Sequence, residues 1–339
     1  MRRGTCYIPP RMLSFSFTVP SPSADRADRL VMAFAPRPVA RAAVSACFAA
    51  GGVTAGGRVL AKSERPPAGA VLRVSGLEEP SDRAARPEPD LPLSVAWENA
   101  DLLALDKPSG QPCHPLSPGE TGTLAGALLA RYPETASVGP DPLQPGIVHR
   151  IDAGTSGLVI AARNQAAYDA VRAQFAAKTV RKVYLALVHG RVASSGGVSG
   201  HLAHSTSFRG RMRVVSPGAL PGGERPMFAE TFWKPLAPGP GDTTLLEVVI
   251  HTGVTHQIRC HLASAGHPIV GDAVYAPPSL SAAAPPLLPG AAPAPDPGAP
   301  PARRPPLFAL HSLSASLLLP GSGRPATLRV PPPPWARSV

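Results

Sequence analysis

An α+β fold with a mixed, largely antiparallel sheet is predicted by three observations. Helical and strand-like segments follow one another without the regular strand-helix alternation that builds a parallel sheet. Several strands, such as Val183 to Val188 and Leu245 to Ile250, are rich in β-branched residues. The 339 residues leave room for one domain of ~200 to 250 residues with a small α+β domain ahead of it.

In chain order, residues 1–25 carry prolines and polar residues where a signal peptide would have a continuous apolar core. They read as a disordered tail or a mis-assigned start, with Met12 or Met32 as the alternative first residue. Residues 26–74 read as two helices (Asp28 to Phe34, Val39 to Ala50), a Gly-rich hairpin at Gly51 to Arg58 and a strand at Val71 to Val74. Arg37, Arg41, Arg58, Lys62 and Arg65 would give this module a basic face, or simply a solvated one. Residues 75–92, with Glu78-Glu79-Pro80 and Arg86-Pro87-Glu88-Pro89-Asp90, form a polar Pro-rich linker.

The large domain, residues 93–335, opens with strands at Ser94 to Trp97 and Leu102 to Leu105. A helix starting at Thr123 and stopped by Pro133 carries Leu124, Leu128 and Arg131. Asn164 caps a second helix that buries Tyr168, Val171 and Phe175. Residues 277–305 are Pro/Ala-rich and without periodicity, so they read as a disordered surface insert before closing strands at Leu307 to Leu319 and Ala326 to Val330.

The formal charge of +11 and pI near 10.2 suit a polyanionic partner, although the same arginines fit an Ala-, Pro- and Gly-rich coding bias. Cys6, Cys47, Cys113 and Cys260 are scattered without metal-ligand spacing, which fits a reduced cytoplasm. No run approaches the ~18 apolar residues of a membrane span.

Chemistry concentrates in Pro145-Gly146-Ile147-Val148-His149-Arg150-Ile151-Asp152-Ala153-Gly154-Thr155-Ser156-Gly157-Leu158, which sets one carboxylate between an arginine and a tight turn. A turn aspartate bonding its own backbone is the plain alternative. The segment resembles the His-Arg-Leu-Asp-x-x-Thr-Ser-Gly signature of the RluA-type family of RNA pseudouridine synthases, with Ile151 replacing leucine. Three further stretches match in order. Asp106-Lys107-Pro108-Ser109-Gly110 resembles the family's Lys-Pro-x-Gly element, and Lys182-Val183-Tyr184-Leu185-Ala186-Leu187-Val188-His189-Gly190 its Lys-x-Tyr-x-Ala-x-Val-x-Gly strand. Thr252-Gly253-Val254-Thr255-His256-Gln257-Ile258-Arg259, running on to Gly271-Asp272, resembles its Thr-Gly-Arg-Thr-His-Gln-Ile-Arg element. Together the matches span about half the chain, far more specific than any one motif. Residues 26–74 resemble an S4-type RNA-binding module, in degenerate form: Ala55-Gly56-Gly57 stands where such modules show Val-Asn-Gly.

The resemblance implies isomerisation of uridine within RNA, ribosomal RNA before transfer RNA, without metal or organic cofactor. Asp152 becomes the essential carboxylate, as nucleophile or as base on the sugar; the sequence leaves both open. Arg259 would hold Asp152 ionised through two hydrogen bonds. Tyr184 would lie against the uracil, Ile258 would form an apolar wall, and Arg150 would contact phosphate or prop out the flipped nucleotide. His149 and Thr155, flanking them, complete the substrate-binding set. Lys107 lies in a Pro/Gly turn and is left out of the catalytic set as a solvated loop residue. His149, His256 and His261 invite a metal reading, but two of them are five apart on one helix and do not share a face. Val254 removes the arginine that the family carries there, so weaker anchoring of the substrate is expected. One domain supplies every residue, so a monomer suffices. The competing reading is a non-catalytic RNA-binding or ribosome-assembly factor that keeps the fold.

Overall fold

The computed structural model describes residues 12–21, 25–36, 39, 41–78, 84–117, 119–205, 208, 210–216, 226–281 and 308–337. The chain divides into two compact units, residues 1–84 and 85–339.

The smaller unit contains β1 (Met12–Thr18), α1 (Ala27–Phe34), α2 (Arg41–Ala49), β2 (Val53–Ala55), β3 (Arg58–Val59) and β4 (Val71–Glu78), with an antiparallel sheet in the order β1-β4-β2-β3. Strand β1 lies within the segment expected to be a disordered tail. Its sequence has the period of a half-buried strand: Leu13, Phe15 and Phe17 turn inward while Met12, Ser14, Ser16 and Thr18 are exposed. The Phe17 ring stacks on Phe34 at 4.7 Å. Leu30, Val31, Val44, Phe48, Leu72 and Leu77 fill the core beneath the sheet. One of the expected basic-face residues is not a free cation: Arg58 pairs with the Glu64 carboxylate, whereas Lys62 donates to the neutral Ser45 hydroxyl. Arg37 and the side chain of Arg41 lie outside the described residues.

The expected linker is shorter than predicted. Strand β4 runs on to Glu78, residues 79–83 lie outside the described set, and from Ala85 the chain packs on the larger unit. There Ala85 N–H donates to Pro142 O, and the Glu88 carboxylate accepts from the backbone N–H groups of Gly122 and Thr123. Polar composition was read as solvation where it serves to cap a helix start.

The larger unit contains β5 (Val95–Glu98), β6 (Leu102–Lys107), α3 (Leu124–Arg131), β7 (Ser156–Ala162), α4 (Gln165–Ala176), β8 (Arg181–His189), β9 (Gly196–His204), β10 (Met212–Val215), β11 (Met227–Gly239), β12 (Thr243–Ile250), α5 (Gln257–Ser264), α6 (Pro278–Ser281), β13 (Leu310–Leu318), β14 (Pro325–Arg329) and α7 (Pro334–Arg337). Its sheet runs β10-β9-β11-β12-β8-β13-β7-β6-β5, with β14 paired to β13. Among the described residues only β13 and β7 pair in parallel; the other neighbours are antiparallel. The α+β class and the largely antiparallel sheet are thus as the sequence predicts.

The parallel joint depends on one glycine. Gly157 has φ +102°, and a Cβ there would lie 2.2 Å from Ser312 O. The helix starts follow their caps: Thr123 Oγ1 accepts from Gly126 N–H and Asn164 Oδ1 from Ala167 N–H. Helix α4 buries Ala167 and Val171, leaving Tyr168 and Phe175 half-buried. Helix α6 falls at the start of the expected Pro/Ala-rich insert, whose residues 282–305 lie outside the described set.

Candidate active site

Asp152 sits on a loop that approaches the sheet beside β7. Ile147 forms an isolated bridge with Ala161, and Val148 N–H donates to Ile160 O; both hold the start of the loop against β7. Thr155 N–H donates to Asp152 O at 3.0 Å and closes the turn that carries the carboxylate. Thr155 itself is buried beneath it.

Beneath this loop lies Lys107. Far from being a solvated loop residue, it has 0% exposure. Its Nζ donates to Pro108 O at 2.9 Å, Gln111 O at 2.7 Å and Ala153 O at 3.1 Å. Burial brings its pKa down to about 8, opposed by the neighbouring Cys113, Asp152 and Asp106 side chains. The ammonium therefore ties the Lys-Pro turn to the residue following Asp152. The sequence hides this because a lysine next to Pro and Gly ordinarily points to water.

Arg259 comes from the first turn of α5. Its Nη1 donates to Asp152 Oδ2 at 2.9 Å. The two-bonded fork expected toward Asp152 goes instead to Asp272, with Nε to Oδ2 at 2.7 Å and Nη2 to Oδ1 at 2.9 Å. Asp272 is wholly buried, whereas the Asp152 side chain is 27% exposed, so the planar fork takes the carboxylate that most needs pairing. The guanidinium also stacks against Phe308 at 4.3 Å and Tyr275 at 5.2 Å. Burial works against its charge, but bonds to Asp272 and Asp152 more than offset it.

Tyr184 lies on β8, opposite Val248 of β12 and Ser312 of β13. Burial pushes its phenol up to about 12, against the opposing bond from Ser312, so it stays protonated at neutral pH. Two positions before it, Lys182 Nζ donates to Thr252 O at 2.8 Å and lies over the Phe175 ring; burial lowers this amine to about 8. His149 is less free than the sequence suggests. Its Nε2 accepts from Ile160 N–H at 3.0 Å, which places the proton on Nδ1, and its ring stacks on Phe175. Burial, with Lys182 and Arg172 nearby, lowers its pKa to about 3. It is fixed in the wall of the site.

All seven residues expected at the site line one cleft of about 610 Å³: His149, Arg150, Asp152, Thr155, Tyr184, Ile258 and Arg259. Arg150 is exposed at its mouth, and Ile258 presents an apolar surface from α5. Val254 also lines the cleft, and its backbone N–H donates to Gln257 Oε1. Lys107, Lys182, His256 and Asp272 are the residues that the reading of the sequence missed. All four stand within the motif runs, Lys107 and Lys182 as their opening lysines, His256 before Gln257 and Asp272 as an acid after the arginine helix, but nothing local marks their contacts. Among the described residues no group of three His, Cys, Asp or Glu side chains could hold a metal ion, and no helix is long and apolar enough to cross a membrane. Cys47, Cys113 and Cys260 are free and buried.

An α+β sheet carrying an aspartate against a buried arginine at the floor of a basic-rimmed cleft defines the class within which relatives are to be sought. Residues 101–264 match the RNA pseudouridylate synthase family model. The chain is similar to a protein of Chlorobaculum parvum described as an uncharacterized RNA pseudouridine synthase, 35% identical over 234 residues that cover 68% of this chain and 69% of that one. It is also similar to the ribosomal large subunit pseudouridine synthase D of Zymomonas mobilis, 38% identical over 197 residues, 58% of this chain and 60% of that one. Among solved structures, human RNA pseudouridylate synthase domain containing 1 shares the fold with a TM-score of 0.54 and 26% identity, over 73% of this chain and 86% of that chain. The chain belongs to the RNA pseudouridine synthase family, in its RluA-type branch. It spans 51% to 60% of the length of four curated relatives.

Proposed function

We propose that this chain isomerises specific uridines in RNA to pseudouridine, with ribosomal RNA as the favoured substrate and Asp152 as the essential carboxylate. The observation that carries the reading is the 2.9 Å bond from Arg259 Nη1 to Asp152 Oδ2 inside the cleft. Bonded to Arg259, yet partly open, the carboxylate can attack ribose C1′ or take a proton from the sugar. The reaction breaks C1′–N1, turns the base and joins C5 to C1′, with no net redox change. Tyr184 would pack against the uracil, Ile258 would wall the base on its apolar side, and Arg150 at the mouth would meet phosphate or fill the gap left by the flipped nucleotide. The residues of the site all come from the larger unit, so a monomer acting in the cytoplasm suffices, and residues 26–74 would serve as an S4-like anchor on a folded RNA.

The test is pseudouridine mapping, by carbodiimide labelling and reverse transcription, of total RNA from cells lacking the protein and complemented with wild type or Asp152→Asn. Loss of one or a few pseudouridines, restored only by wild type, is expected. If no position changes, and the purified protein leaves unmodified ribosomal and transfer RNA intact, the binding-factor reading replaces catalysis.

A further inference from the structure

Resting on that reading, we propose that His256 donates a hydrogen bond from its Nε2–H to the uracil as the base detaches from C1′. His256 is the N-cap of α5 and stands in the left-handed region, φ 55° and ψ 19°. A side-chain-bearing residue is strained there, and such strain gathers at functional sites. The conformation has a visible result: the ring lies edge-on to Tyr275, and Nε2 comes to 3.9 Å from Asp152 Oδ2.

The proton's position follows from the neighbours. Tyr275 OH accepts from Met212 N–H at 2.8 Å and lies 3.1 Å from His256 Nδ1. Tyr275 is buried, so its own hydroxyl hydrogen needs an acceptor, and Nδ1 supplies one. The opposite tautomer would orphan that hydrogen and face the Nε2 lone pair toward a carboxylate. The neutral ring therefore carries its hydrogen on Nε2. Burial lowers the pKa of His256 against the opposing pull of Asp152, which favours the neutral form. At 3.9 Å the N–H is too far for a bond to Asp152, whose Oδ2 already accepts from Arg259, so it is left for a group entering the cleft.

The chemistry calls for such a donor. When C1′–N1 breaks, its electron pair stays on the base, and the negative charge spreads over N1 and the two carbonyl oxygens. As C5 then joins C1′, C5 gives up its proton and N1 gains one, so atoms and charge balance. His256 transfers no proton; its N–H stabilises the transient anion. The donors closest to Asp152 are largely engaged elsewhere. Nε, Nη1 and Nη2 of Arg259 bond two carboxylates, Lys182 donates to Thr252 O, and residue 254 is an apolar valine.

The test compares His256→Gln with His256→Met in the full chain. Both side chains are unbranched and similar in length, and only glutamine keeps an N–H. Single-turnover conversion is followed on a ribosomal RNA transcript that wild type modifies, with RNA affinity and melting temperature alongside. The Met variant should slow the chemical step by about 10²-fold, in the range of one lost donor at a developing anion, with affinity changed less than about threefold. The Gln variant should recover most of that loss. Tyr275→Phe, which frees the tautomer without touching His256, should slow the step by several-fold and so tests the idea even if a His256 variant fails to fold. Equal losses in Gln and Met, or none in either, would overturn the proposal while leaving the family activity intact. A wild-type protein as inert as Asp152→Asn on every RNA would instead remove the functional reading on which it rests.

Discussion

Replacing Asp272 by asparagine should destabilise the larger unit by about 3 to 5 kcal/mol, the cost of removing one partner from a buried ion pair. The structure supplies the reasons. Asp272 has 0% exposure and takes two of the three bonds made by Arg259, itself 4% exposed. Asparagine can keep the acceptor that serves Val274 N–H and Tyr275 N–H, but it turns an amide donor toward Arg259 Nε, now 2.7 Å from Oδ2. Nη2 keeps a neutral acceptor at Oδ1, and Asp152 remains as the charged partner of the guanidinium, its partial exposure screening the attraction. The three tryptophans, Trp97, Trp233 and Trp335, all lie in the larger unit, so urea unfolding followed by their fluorescence reports on that unit. The melting temperature should fall by roughly 6 to 20 °C at about 2 to 4 °C per kcal/mol for a unit of this size. Arg259→Met combined with Asp272→Leu should recover much of the loss, because the aromatic rings of Phe308 and Tyr275 can pack on the methionine. A loss below about 1 kcal/mol for Asp272→Asn would refute the buried fork and with it the account of how Arg259 is held.

Gly157→Ala should prevent the parallel pairing of β7 with β13, since its Cβ would collide with Ser312 O; soluble yield and circular dichroism of the variant check it, and a native melt would count against the register. Acid should destabilise the larger unit: the folded pKa values of His149 (about 3), His261 (about 4) and His311 (about 4) lie below 6.5, all three through burial first. The unfolded chain then binds more protons, so stability is full above pH 6.5 and is lost as pH falls toward 4, at about 1.4 kcal/mol per pH unit for each histidine. Urea midpoints at pH 7 and pH 5 measure this, and equal midpoints would contradict it. Val254→Arg should strengthen RNA binding by several-fold and steepen its salt dependence by about one phosphate contact, read from titrations at two salt concentrations; an unchanged slope would show that position 254 does not face the backbone.

Three of the four motif stretches line one cleft, and the fourth, through Lys107, holds the turn that carries Asp152; the elements legible from residue pattern alone were those with local main-chain signals. Thr123 and Asn164 announced their helices, and β-branched runs announced β8 and β12. The failures share a cause as well. Strand β1 alternates faces in plain view, but its neighbouring prolines drew attention from a period of two. The burial of Lys107 and the choice of Asp272 over Asp152 by the Arg259 fork arise from contacts across 46 and 13 residues, respectively, on which local composition is silent. The left-handed turn at His256 is hidden for another reason: no glycine or asparagine marks it.

Lys107 grips three carbonyl oxygens and no side chain. Every amino acid offers the same carbonyl, so the identities at positions 108, 111 and 153 can drift while the grip persists. A single residue inserted or deleted between Pro108 and Gln111 would shift a carbonyl by about 3.8 Å and release it. The lysine thus measures length rather than letters, and the spacing of this loop is what an evolving lineage must keep.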